Sequence, residues 1–230
     1  MNANFGLNRN EIFRNTGTLY RDKYLSGYSE KHKMFCENNC GKRVLDVGCA
    51  TGNLCVALKK DGYECVGVDI NEKYVQMAIE KGVDAYLIKD KIPFEDKSFD
   101  TITLFEVIEH VDNPAALLKE AKRVARKNIL ISVPNCSEFY ELKKHGLTYE
   151  HFLELDHKVF FTKESLSNLL SEHFSDFDVQ KMSPVFLANV GLPWWIRKPI
   201  SFLHRLRLIK ATIFSSLFAV INIEKQAEHS

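Results

Sequence analysis

Arg43-Val44-Leu45-Asp46-Val47-Gly48-Cys49-Ala50-Thr51-Gly52 is the stretch on which the fold turns. Five residues of strand character run into a glycine-bounded turn, and Leu54, Cys55, Ala57 and Leu58 then recur at helical spacing until Gly62. The reading is strand, Gly-rich turn, helix. Cys65-Val66-Gly67-Val68-Asp69 follows as a second strand. Asn71 then supplies a side-chain cap for a helix with Tyr74, Val75, Ala78 and Ile79 on one face, stopped by Gly82.

Outward from this βαβ unit the alternation continues. Strands are expected at 85–88, 99–105, 128–133 and 177–182. Asn113-Pro114 starts a helix that carries Leu117, Leu118, Ala121 and Val124, and Thr162 caps one with Leu166, Leu169 and Leu170. Leu217–Ile223 has strand character and would close the sheet. Alternation of this kind predicts a doubly wound α/β domain, a mainly parallel seven-stranded sheet with helices on both faces. Residues 1–41 read as an N-terminal helical cover and 42–230 as the main domain.

Composition is that of an ordinary globular chain: 230 residues, 45% hydrophobic, 27% charged, with a formal net charge of +1. So small a charge argues against a general nucleic-acid binder. The six cysteines form no C-x-x-C pair and read as free thiols of a reducing compartment. The N-terminus has neither the basic start nor the apolar run of a secretory signal, and the most apolar stretch, Ala211–Ile223, is too short and too interrupted to span a membrane. A cytoplasmic protein is the expectation.

One segment departs from the balance. Between Val179 and Ile223 stand six Lys or Arg and no Asp or Glu, which leaves −5 on the rest of the chain. Trp194, Trp195, Phe202, Leu203, Leu206 and Leu208 are interleaved with the cations. This basic amphipathic insertion, at about 190–213, has four readings: a lid over an apolar acceptor, a peripheral contact with the inner face of a membrane, a phosphate-binding face for RNA, or a solvated helix.

In a parallel sheet a ligand binds beyond the carboxyl ends of the strands. Gly48 and Gly52 let the backbone approach it, the following helix offers unpaired N–H groups, and Asp69, 23 residues after Asp46, is placed to accept from a ribose diol. Glu106, Glu109 and His110 then follow the fourth strand at i, i+3, i+4, a spacing that puts all three on one face of a helical turn. His157 is a downstream imidazole, with His151 its competitor.

Taken together, 44–52, Val66-Gly67-Val68-Asp69, Ile92-Pro93-Phe94-Glu95-Asp96-Lys97-Ser98-Phe99-Asp100 and Glu106-Val107-Ile108-Glu109-His110-Val111 resemble class I S-adenosylmethionine (SAM)-dependent methyltransferases over roughly residues 42–182. The resemblance implies the Rossmann-like methyltransferase fold. It implies that Asp46, Gly48, Ala50 and Gly52 hold the methionine part of SAM and that Asp69 holds the ribose, with Ile70, Asp90 and Phe105 also beside the cofactor. Ala50 stands where many members have glycine.

The Glu-x-x-Glu-His element with a distant His is similar to that of small-RNA terminal 2′-O-methyltransferases and of ubiquinone-pathway O-methyltransferases. In the RNA enzymes these residues hold a divalent cation. On that reading Glu106, Glu109, His110 and His157 would hold Mg, Mn or Zn, and the cation would lower the pKa of a bound hydroxyl. The competing readings make His110 or His157, with Glu106, metal-independent acid–base groups, or purely structural ones. The expected activity is O-methylation of a small or lipid-like hydroxylated acceptor. An RNA 3′-terminal 2′-O-methyltransferase and a non-catalytic cofactor-binding subunit are the alternatives.

Overall fold

A computed structural model describes residues 30–89, 91–137, 157–185 and 213–224, with single or paired positions at 195, 198–199 and 202–203. Residues 1–29 of the expected cover, Asp90, His151 and most of the basic insertion lie outside the described residues.

The strands are β1 (Arg43–Val47), β2 (Glu64–Asp69), β3 (Asp84–Leu87), β4 (Phe99–Phe105), β5 (Ala125–Pro134), β6 (Phe177–Val185) and β7 (Ile213–Asn222). They form one sheet in the order β3-β2-β1-β4-β5-β7-β6. The first five run parallel, whereas β7 lies antiparallel between β5 and β6. The mainly parallel sheet is therefore present, but its last strand inserts next to β5 rather than closing an edge.

Helices α1 (Glu30–Asn39), α2 (Asn53–Lys60), α3 (Glu72–Glu80), α4 (Pro114–Val124) and α5 (Lys163–Ser171) cover the sheet. Strand alternation decides which face each helix meets. Val44 of β1 and Leu130 of β5 pack with Cys36 of α1, Leu54, Cys55 and Leu58 of α2, and Val75 and Ala78 of α3. Their neighbours Leu45, Val47, Ile129 and Ile131 pack on the other face with Leu118, Ala121 and Val124 of α4 and Leu166 and Leu170 of α5. Two cores on two faces make the sheet doubly wound.

The expected caps form. Asn71 Oδ1 accepts from the Lys73 and Tyr74 N–H groups, Asn113 Oδ1 from Ala116 N–H, and Thr162 closes a capping box with Ser165. The apolar face of α3 is narrower than its sequence suggests, since Ile79 is exposed while Val75 and Ala78 are buried. Strands β5 and β7 start earlier than their apolar runs. In β7 the extra residues include Ser215 and Phe214, whose backbone carbonyls accept from Asn135 N–H and from Asn135 Nδ2, so long-range pairing extends a strand that hydrophobicity alone would begin at Leu217. Among the described residues no helix is long and apolar enough to cross a membrane.

Candidate active site

The strand order reverses between β1 and β4, and the crevice beyond their carboxyl ends is the ligand position of an open α/β sheet. On its β1 side the Gly-rich turn is latched to β2: the Gly48 and Cys49 N–H groups donate to Val68 O at 2.8 and 3.0 Å. Gly48, Ala50 and Gly52 all have positive φ, at 77°, 45° and 73°. A Cβ on Gly48 would lie 2.5 Å from Val107 Cγ2, and one on Gly52 2.9 Å from Ala78 Cβ, so both positions need glycine for room as well as for conformation. Ala50 occupies the same left-handed region with a side chain.

Asp69 ends β2 and is buried. Its Oδ2 accepts from Ala50 N–H and its Oδ1 from Asn71 N–H, each at 2.8 Å. The carboxylate thus ties the Gly-rich turn to the start of α3, and each oxygen keeps a second lone-pair direction for a ligand hydroxyl. Ile70, the next residue, is 76% exposed and offers an apolar surface at the same rim.

Asp46 plays a different part. It sits beneath the turn, where Thr103 Oγ1 donates to Oδ1 at 2.6 Å and the Cys55 thiol approaches Oδ2 at 3.8 Å. Burial pushes its carboxyl up to about 6; the negative charge of Asp69 adds to this, and the Thr103 hydroxyl opposes it.

Lys81, just past α3, was not singled out by its sequence context. Its Nζ donates to Thr51 O, Thr51 Oγ1 and Asn53 Oδ1 at 3.0, 2.9 and 2.7 Å and straps the turn from outside. The cysteines are free thiols. Cys55 and Cys65 touch at 2.8 Å, and that contact together with burial raises the Cys55 thiol well above its ordinary range. Burial likewise raises Cys49, so neither thiol near the turn is set up as a nucleophile.

On the β4 side, the chain turns at 106–110 rather than forming the expected helical turn. The structure brings Glu109, His110 and His157 together: one ligand atom from each lies within 4.8 Å of the others. The two imidazoles meet edge to face at 4.6 Å. Glu109 O accepts from the Lys158 and Val159 N–H groups at 2.8 and 3.1 Å, and this backbone clasp carries His157 to the site from 47 residues away. Two imidazoles and a carboxylate form a donor set suited to Zn or Mn.

Glu106 is not part of this group. Its φ of +54° turns it off the face shared by Glu109 and His110, and its Oε1 accepts from Ser132 Oγ at 2.7 Å. The expectation that Glu106, Glu109 and His110 share one face is corrected on this point. Phe105 is half-buried and stacks on His32 of α1 at 4.6 Å, with the ring planes 11° apart.

Comparison with known proteins fits this geometry. A family model described as a methyltransferase domain matches residues 20–179. Ubiquinone biosynthesis O-methyltransferase of Hahella chejuensis is 37% identical over 94 residues, covering 37% of this chain and 40% of that protein. The namesake from Neisseria meningitidis is 28% identical over 124 residues, half of each chain. The chain thus matches at most about half the length of these relatives. Among solved structures, a SAM-dependent methyltransferase from Archaeoglobus fulgidus superposes with a TM-score of 0.63 at 22% identity, covering 89% of this chain and 98% of that one. The plantazolicin methyltransferase, solved with S-adenosylhomocysteine (SAH), superposes at 0.55 and 18% identity, covering 81% and 79%. With the match running over more than half its length, the chain belongs to the methyltransferase-domain family.

Proposed function

We propose that the protein transfers the SAM methyl group to a hydroxyl oxygen of a small or lipid-like acceptor. The observation that carries this reading is the His110–His157 pair beside buried Glu109, just past β4. Methyl transfer from a sulfonium needs no protein nucleophile, only an acceptor aligned with the S–CH3 bond and relieved of its proton. An imidazole at this place can take that proton. The names of the O-methyltransferase relatives support the same acceptor chemistry.

In this reading Asp46 supports the Gly-rich turn from below. Gly48, Ala50 and Gly52 carry the methionine part of SAM, Asp69 accepts from the ribose, and Ile70 and Phe105 flank the cofactor. A second reading of the same cluster rests on its donor geometry: Glu109, His110 and His157 hold a divalent cation, which would bind the acceptor hydroxyl and lower its pKa. Exposed Trp195 and Phe202, in the basic stretch, support a peripheral membrane contact that would bring a lipid-like acceptor to the site.

The test is SAH release from the purified protein, with and without a chelator. The acceptors are phenols with and without an apolar tail and a short RNA ending in a 2′,3′-diol. Turnover of the phenols is expected, with His110→Ala and His157→Ala lowering kcat by about 10²–10³-fold at unchanged SAM affinity. Turnover of the RNA alone would overturn the reading, and loss of activity with the chelator would favour the cation over a free imidazole base.

A further inference from the structure

Three groups that lie far apart in the chain meet at the first residue past β4. His32 Nε2 lies 2.9 Å from Ser132 Oγ, Ser132 Oγ donates to Glu106 Oε1 at 2.7 Å, and His32 Nε2 is 3.9 Å from that same carboxylate oxygen. His32 comes from α1, Ser132 from β5 and Glu106 from the turn after β4.

The hydrogens of this network can be assigned. The serine hydroxyl has one hydrogen, and it is engaged with Glu106. The short contact to His32 therefore requires the hydrogen on Nε2, the relay being Nε2–H to Ser132 Oγ and Ser132 O–H to Glu106. The imidazole is neutral: burial, aided by the charge of Lys31, pushes it down to about 4. Its ring is held by two aromatic neighbours, stacked on Phe105 at 4.6 Å and tilted against Phe218 at 5.3 Å.

Glu106 itself holds a left-handed backbone conformation, φ +54°, that a non-glycine residue rarely adopts. Strain of this kind persists where the surroundings hold a side chain in a required direction. The direction is informative. Val107, the next residue, packs on Gly48, so Glu106 stands beside the crevice where the strand order reverses. A cofactor held by the Gly-rich turn at one end and by Asp69 at the other has its sulfur at this crevice. Before transfer that sulfur is a cation; after transfer it is a neutral thioether.

We propose that His32 and Ser132 are positioning residues that fix the Glu106 carboxylate beside the cofactor sulfur, and that this fixed negative charge makes the site favour SAM over SAH. The inference rests on SAM as cofactor but not on any acceptor. It gives α1 a task beyond covering the sheet, because the helix supplies the outer member of the relay.

Calorimetric Kd values for SAM and SAH test it, measured on wild type, Glu106→Gln, Ser132→Ala, Ser132→Thr, His32→Gln and the Ser132→Ala/Glu106→Gln double variant, with Tm recorded for each. Glu106→Gln is expected to lower the SAM-over-SAH preference by about tenfold with little change in SAH affinity, the scale of one charge pair in a partly solvated site. Ser132→Ala and His32→Gln should lower it by about threefold, Ser132→Thr should retain it, and the double variant should match Glu106→Gln alone. Equal weakening of both ligands in Glu106→Gln would overturn the charge role. A lowered Tm with an unchanged ratio in Ser132→Ala and His32→Gln would overturn the positioning role. A wild type that binds neither ligand would instead overturn the cofactor assignment itself.

Discussion

The two sides of the crevice are built in opposite ways. The cofactor side is made of backbone: Gly48, Cys49, Ala50 and Asn71 point N–H groups at Val68 O and Asp69, all within one βαβ unit. The β4 side is made of side chains gathered from afar, with His32 meeting Ser132 and His157 meeting His110. A backbone cradle tolerates exchange of most side chains but not of its glycines or its anchoring acid. A side-chain cluster tolerates only conservative exchange at its members, yet its loss leaves the backbone of the cradle in place. The first suits a ligand common to a whole family; in the second, the His110–His157 pair suits an acceptor particular to one member, while the His32–Ser132 pair bears on the charge beside the cofactor.

The comparison fails if damage to one side spreads to the other. Its severest trial is Asp69→Ala, which removes the acceptor for two N–H groups and, on the proposed reading, for the ribose. A SAM Kd raised by about 100-fold is expected by calorimetry, the scale of one or two charge-assisted hydrogen bonds. Weakening of only a few-fold would mean that the cradle stands without its acid.

Asp46 sharpens the contrast from below. Its native-state carboxyl, at about 6, lies above the unfolded value of 3.8, so between these values the folded chain holds a proton that the unfolded chain releases. Stability of the cofactor-free protein should therefore fall as pH rises through that window and stay lowered above it. Asp46→Asn keeps an acceptor for Thr103 and removes the slope. It should stabilise the protein by roughly 2–3 kcal/mol at pH 8 and hardly at all at pH 4, as read by denaturant unfolding. A loss at pH 8 would show that the ionised form is needed to hold the fold.

Smaller effects follow at the margins of the cradle. Lys81→Met cuts the strap over Thr51 and Asn53, and an about fivefold rise in SAM Kd is expected, with kcat unchanged at saturating cofactor. Ala50→Gly relieves a left-handed residue. A gain of about 0.5 kcal/mol in unfolding free energy is expected, the net of strain released and chain entropy added. A loss there would mean that the alanine methyl makes a contact worth more than the strain.

How much could be read in advance follows the same division. Strand, turn and helix over 43–60 and the acid ending β2 were legible because their contacts are local, and local periodicity with glycine punctuation reports them. Lys81 was not, because its partners are about 30 residues earlier and nothing in a lysine after a helix marks it as a strap. That Glu109 and His110 share a face was foreseen from spacing, and that His157 joins them was foreseen from the family resemblance. Glu106 was misplaced among them because spacing presumes regular helical geometry, which its positive φ breaks. His32 and Ser132 gave no signal, being an ordinary helix residue and an ordinary strand residue until the fold brings them together across 100 positions. The place of β7 was missed for a related reason: the pattern of a strand reports its burial but not its neighbours.

That place has a consequence for the order in which the molecule can be assembled. The last of the seven strands in chain order, 213–222, becomes an interior strand, and β6, made earlier, pairs with β7 in the sheet. Until β7 arrives, β5 is an open edge of hydrophobic residues and β6 has no seat. The nascent chain can form its cofactor cradle while its sheet is still unfinished, and it is during this interval, rather than in the finished enzyme, that it is most exposed to pairing with another copy of itself.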